Sequence, residues 1–183
     1  MNKKFLTPKE INEHLLNKIP DRNIRDIAIV ETLYKTGIRV KELINLMKND
    51  LDLNSNDNVI AIAITGKHER TVFIDFETLK LIKKMINNRK KESDYLFISR
   101  TGKQLNRADI ENIIKKYRVN ENITANTLKQ SYINFMLNYN DFTIEEVKKL
   151  VGQNYLGIDK ISSEISINEL KNKYKVIDWS IKV

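Results

Sequence analysis

The 183 residues carry 32 Lys and Arg against 24 Asp and Glu, a formal charge of +8, and 41% are hydrophobic, which suits one soluble globular domain with a polyanionic partner. There is no cysteine and only His14 and His68, which excludes disulfides and thiolate metal sites and leaves no basis for expecting a metal or a cofactor. No apolar run nears the roughly 20 residues of a membrane span and Met1–Leu6 lacks a signal-peptide pattern, so the expected location is the cytoplasm, with no membrane partner.

Thr7-Pro8-Lys9-Glu10 opens the first helix with a capping box and a proline in the first turn. Ile11, Leu15, Leu16 and Ile19 give it one apolar face, His14 falls on its outer face, and Pro20 stops it. The second helix carries Ile24, Ile27, Ala28 and Tyr34 at helical spacing, and a third runs from about Val40 to Met47. Between them Thr36 to Leu43 reads T-G-I-R-V-K-E-L. Gly37 admits a positive φ, so two helices can meet there at a sharp angle, with Arg39 at the joint and pointing off the core. A guanidinium so placed suits bidentate binding of a phosphate.

The period then changes. Val59 to Thr65 alternates isoleucines with small residues and reads as a strand. Gly66 to Glu69 supplies a turn, Arg70 to Ile74 returns, and Leu51 to Leu53 is expected to add a short third strand. Helices are expected over Glu77 to about Arg89, Asn106 to Tyr117, Thr127 to Tyr139 and Thr143 to Val151. A loop with Arg100 and Lys103 is placed to touch phosphate, and the cations of Leu79 to Lys91 either do so from outside or form a solvated face. Ser166 to Glu169 is a further capping box, leading a short helix through Tyr174 towards a tail anchored by Trp179. The fold class is mainly α with a small antiparallel sheet: one domain over residues 1–165, with 166–183 its C-terminal helix and tail.

These motifs resemble the catalytic domain of the tyrosine recombinases, the phage integrase family. Arg39 matches the family's first catalytic arginine, with Glu42 and Asp50 where accompanying acids usually stand. Lys67, in T-G-K-H-E-R, matches its hairpin lysine, although the turn is shorter than usual. I-T-A-N-T-L-K-Q-S-Y, Ile123 to Tyr132, lies along the box that holds a histidine, an arginine and a second histidine. Here those positions are Asn126, Lys129 and Gln130. K-L-V-G-Q, Lys149 to Gln153, resembles a later box with Gln153 in place of histidine. About nine residues further on, where the family carries its tyrosine nucleophile, stands Ser162.

The resemblance covers Thr7 to about Ser163 and implies metal-free chemistry on duplex DNA. In the family two arginines hold the scissile phosphate, the lysine protonates the leaving oxygen, and tyrosine attacks. The preceding DNA-binding domain of the family has no counterpart in these residues. Lys129 keeps a charge without the fork, and Asn126 and Gln153 cannot carry a proton near neutral pH. Loss of one preorganised donor costs a factor of about 10²–10³. The combined losses imply a DNA-binding accessory or regulatory factor in recombination or integration, in a mobile-element setting, without strand cleavage. The expected DNA contacts are Arg39, Lys67, Arg70, Lys103 and Lys129. Two alternatives stay open: strand transfer by a displaced nucleophile, Tyr155 or Tyr174, and a module that regulates an active recombinase. The resemblance also implies docking on a recombinase protomer or a second copy through the C-terminal segment.

Overall fold

The structure, a computed structural model, describes residues 5–66, 68–152 and 166–179. In chain order the helices are α1 (Pro8–His14), α2 (Ile24–Thr36) and α3 (Val40–Asn45), followed by strands β1 (Val59–Ile64) and β2 (Arg70–Asp75). Then come α4 (Phe76–Asn88), α5 (Arg107–Tyr117), α6 (Ala125–Tyr139), α7 (Ile144–Val151) and α8 (Ile167–Lys175). No described helix is long and apolar enough to cross a membrane.

Capping chemistry explains most of the helix starts. Thr7, Thr143 and Ser166 each accept a hydrogen bond from the backbone N–H three residues on, and Glu10, Glu146 and Glu169 return one. Each such cap satisfies donors that the first turn would otherwise leave orphaned.

The third helix is shorter than its spacing predicts. Leu46 leaves helical geometry so that its carbonyl can accept from Leu96 N at 2.7 Å, while Met47 bridges Tyr95. The expected third strand is a single bridge, Leu51 to Ile62. The Asp52 side chain accepts from Asn54 N at 2.9 Å and turns the chain away before a ladder can grow. His14 is half-buried, with Nδ1 enclosed, rather than on an outer face.

β1 and β2 pair antiparallel from Val59↔Asp75 to Ile64↔Arg70. Ile60, Ile62, Ile64, Val72 and Ile74 point into the main core. Val59 and Phe73 point the other way, into a second cluster built with α6, α7 and α8. Helix α2 joins these layers, packing against α3, α4, α5, α6 and β2. From Ala28 to Thr36 it is buried except at Glu31, beyond what the helical spacing of Ile24, Ile27, Ala28 and Tyr34 alone accounts for. Its polar members are satisfied inside: Thr32 Oγ1 donates to Ala28 O at 2.7 Å, and Lys35 pairs with Glu31 and Asp75, each at 2.7 Å.

Helix α8 lies on β1 and β2, with Leu170 and Tyr174 buried. Trp179 follows it into an aromatic nest, 5.4 Å from Tyr34, 5.2 Å from Phe135 and 5.7 Å from Tyr174 between ring centroids. The tail is anchored there through dispersion and edge-to-face contact.

Candidate functional site

The site starts at the joint between α2 and α3. Gly37 ends α2 in the left-handed region, φ 62°, and a Cβ there would meet Tyr132 Cδ1 at 2.5 Å. Only glycine supplies that φ without strain and lets the ring pack against bare backbone. Ile38 is buried, and Arg39 then becomes the residue just before α3. Its backbone N–H donates to Glu42 Oε2 at 2.7 Å, which fixes the arginine's base, and its Nη2 donates to Gly152 O at 3.2 Å.

Helix α6 supplies the facing side. Thr124 caps it, and Asn126 and Lys129, three residues apart, share one face. Arg39, Asn126 and Lys129 together line an open cavity of about 980 Å³. Lys41, Arg107, Lys115 and Arg118 line it too, against a single acid, Glu111. Those four were not evident from the sequence; the available signal was a cationic face on α5, which Arg107, Lys115 and Arg118 occupy or border. Arg118 is tied to the carbonyls of Glu121 and Ile123, and Arg107 pairs with Glu111 at 2.8 Å.

Lys129 is 7% exposed, and among the described residues its ammonium forms no hydrogen bond or ion pair. Burial pushes its amine down to about 8, with the charges of Arg39 and Arg70 pressing the same way and Glu42 opposing them. A free lysine titrates near 10.5. Because the folded value is lowered, stability rises with pH between about 8 and 10.5, where only the unfolded chain keeps the proton. A titration followed by the Lys129 ¹³Cε resonance should therefore have its midpoint near 8, and Arg39→Ala should move it upward. A midpoint at the ordinary lysine value would mean an open, solvated ammonium.

Arg70 is placed differently from the sequence expectation of a phosphate contact. Its side chain is 4% exposed and grips Glu42 with two bonds of 2.8 Å, from Nη1 to Oε1 and from Nη2 to Oε2. Its Nε donates to Leu150 O at 2.6 Å. Arg70 thus caps a last-turn carbonyl of α7 and Arg39 the carbonyl of Gly152 just beyond it, where cations also suit the helix dipole. Arg70 is a brace holding β2, α3 and α7 together. Asp50 is likewise local, accepting from Met47 N at 2.7 Å. Arg89 is tied to the carbonyls of Tyr95 and Ser93, so it is not a free cation on the outer face of α4. Lys103 is exposed on the turn after Gly102 and does not line the cavity.

Lys67, Gln153, Tyr155 and Ser162 lie outside the described residues. Tyr174 is 2% exposed and donates to Lys35 O at 2.9 Å. Burial, then Tyr132 and nearby carboxylates, pushes its phenol well above the usual range. It is a core tyrosine. Among the described residues no cluster of His, Cys, Asp and Glu could hold a metal ion. What the site offers chemically is a concave set of cationic and amide donors, suited to the oxygens of a phosphate diester.

A family model described as the phage integrase family matches residues 4–154. The chain belongs to the phage integrase family. Among curated relatives, the tyrosine recombinase XerA of Pyrococcus furiosus is 31% identical over 92% of this chain and 59% of its own length. The TnP I resolvase of Bacillus thuringiensis is 28% identical over 92% of this chain and 60% of its own length. This phage integrase family chain therefore spans about 60% of the length of the curated relatives it matches. A crystal structure of XerA recombinase superposes with a TM-score of 0.72 at 25% identity, covering 93% of this chain and 63% of the other. The fold expected from the motifs, mainly helical with a small antiparallel sheet, is thus the fold of this family's catalytic domains.

Proposed function

We propose that this chain is a DNA-binding member of the phage integrase family that grips backbone phosphate and acts as an accessory or regulatory factor in DNA recombination without cutting a strand. The observation that carries the reading is the convergence of Arg39 with Asn126 and Lys129, about 90 residues apart in sequence, in one cavity lined by six basic side chains and one acid. XerH recombinase bound to its difH substrate has a similar fold, with a TM-score of 0.70 at 21% identity over 95% of this chain and 54% of that one. The absence of cleavage follows from composition at the matched positions. Asn126 and Gln153 carry no proton near neutral pH, Lys129 lacks the fork, and Ser162 has no histidine nearby in sequence to activate it.

One observation favours a second reading, strand transfer by a displaced tyrosine. Gly152 is bonded to Arg39, and Tyr155 follows only three residues later in the chain. A nicked suicide substrate separates the two, because attack traps a covalent protein–DNA adduct once the released strand diffuses away. The DNA must be one that the protein binds specifically. The expected result is binding that weakens steeply with salt, flattened by roughly one unit of slope in Arg39→Ala, and no adduct. An adduct that disappears in Tyr155→Phe would overturn the inactive reading. Salt-independent binding, or none at low salt, would overturn DNA binding.

A further inference from the structure

At the far end of α2 lies a second cavity, of about 470 Å³, between the start of that helix, the end of α4 and the loop 96–100. Its floor is apolar, made by the half-buried Ile24 and the exposed edges of Met85 and Ile98, with Leu96 fully buried beneath. Its rim is cationic: Arg22, Arg25, Arg89, Lys90, Lys91 and Arg100 stand against one acid, Asp26. That acid is already committed. Asp26 Oδ1 accepts from Arg25 Nε at 3.0 Å and Nη2 at 2.8 Å, and Oδ2 accepts from Tyr117 at 3.1 Å.

Arg89 is held by two carbonyls, which leaves its enclosed Nε with no partner. The side chains of Arg22, Lys90, Lys91 and Arg100 are exposed and form no ion pair or hydrogen bond among the described residues. The positive end of α2 adds to this field, because Asn23 gives it no side-chain cap and donates instead to Tyr117 Oη at 2.7 Å. Asp26 pairs with Arg25 and Glu92 lies 3.9 Å from Arg89, but among the described residues no acid pairs with Arg22, Lys90, Lys91 or Arg100, so an anion is their natural complement.

We propose that this cavity is a nucleotide-phosphate site, with the phosphate on the free cations of the rim and the flat base against the apolar floor. Guanidinium forks match phosphate oxygens, and the volume falls within the range of about 300–1,000 Å³ typical of small-ligand pockets. The site does not depend on Arg39 or Lys129. The length of α2 separates it from them, about 20 Å at 1.5 Å per residue. The phosphate comes either from a free nucleotide, whose base then lies on the floor, or from a DNA backbone running past the cavity, whose bases stay stacked and leave the floor uncovered.

Calorimetric titration with ATP tests the site, using Lys90→Glu/Arg100→Glu at the exposed rim and Arg39→Ala as a control. Thermal melts confirm that each variant folds. ATP is expected to bind the native chain with a component that Arg39→Ala leaves in place and that the double variant weakens at least tenfold. Absence of binding at millimolar ATP overturns the proposal, as does affinity that the double variant leaves unchanged or that Arg39→Ala abolishes. Displacement of ATP by polyglutamate more readily than by pyrophosphate makes this a carboxylate site and also overturns it. A second arm uses a short DNA duplex. If the double variant weakens duplex binding as well as ATP binding, the backbone is the source of the phosphate; if duplex binding is unchanged, the source is a free nucleotide. Either result supports the phosphate chemistry.

Discussion

Glu42→Ala should lower the unfolding free energy by about 3–5 kcal/mol, because it leaves Arg70 buried without its carboxylate. Glu42 does two jobs: it caps α3 through Arg39 N–H and takes both Nη groups of Arg70 at 2.8 Å. Neither job has a substitute nearby, since the remaining acceptors of Arg70 are the carbonyls of Leu150 and His68. For a domain of this length the loss corresponds to roughly 6–20 °C in Tm. Thermal or urea unfolding measures it, and a loss under about 1 kcal/mol would mean that water replaces the carboxylate. The double variant Glu42→Leu/Arg70→Leu should recover much of the stability, because no charge is then stranded.

Glu42→Gln isolates the charge. Burial disfavours the ionised carboxylate, but bonds from Arg70 and Arg39 N–H and the two guanidinium charges outweigh it and hold the carboxyl below its usual value. The stability from Glu42 is therefore complete above the unfolded value, about 4.3, and is lost as pH falls towards the folded one. Glu42→Gln should lack that acid-labile share.

Gly37→Val should cost about 2–5 kcal/mol, the sum of left-handed strain and overpacking. The two terms have separate causes and can be read apart. The φ of 62° penalises any branched side chain, whatever the space around it. The clash arises because Tyr132 is fully buried and stacked 6.5 Å from Trp179, so its ring cannot withdraw. Adding Tyr132→Leu to Gly37→Val should return the overpacking share and leave the strain. A double variant no more stable than Gly37→Val alone would show that the ring contact is not what forbids a side chain. Arg39 follows Gly37 by two residues, so the substitution should also weaken phosphate binding even where the fold survives.

The local elements were legible because their signals span only a few residues. Thr7 with Glu10, Thr143 with Glu146 and Ser166 with Glu169 each cap within one turn, so the sequence contains both partners of each bond. The Ile60, Ile62 and Ile64 alternation needs only the two-residue pleat to face one side. Gly37 needs only its own φ. Matching Arg39 and Lys129 to a family pattern placed both on one surface, and they line the same cavity.

What could not be read locally was decided by partners distant in sequence. Arg70 looks like a hairpin cation ready for phosphate, yet Glu42, 28 residues back, and Leu150, 80 residues on, enclose it. Arg89 was drawn in by carbonyls of its following loop, where a helical wheel would leave it outside. The third strand failed because one Asp52 bond turned the chain, a contest between a side chain and a ladder that propensity does not resolve. By itself the sequence determined most of the elements, the joint at Gly37 and the family. Only the tertiary structure decided which cations remain free to meet an anion, because a cation's availability depends on which carboxylates and carbonyls the fold brings within about 3 Å of it.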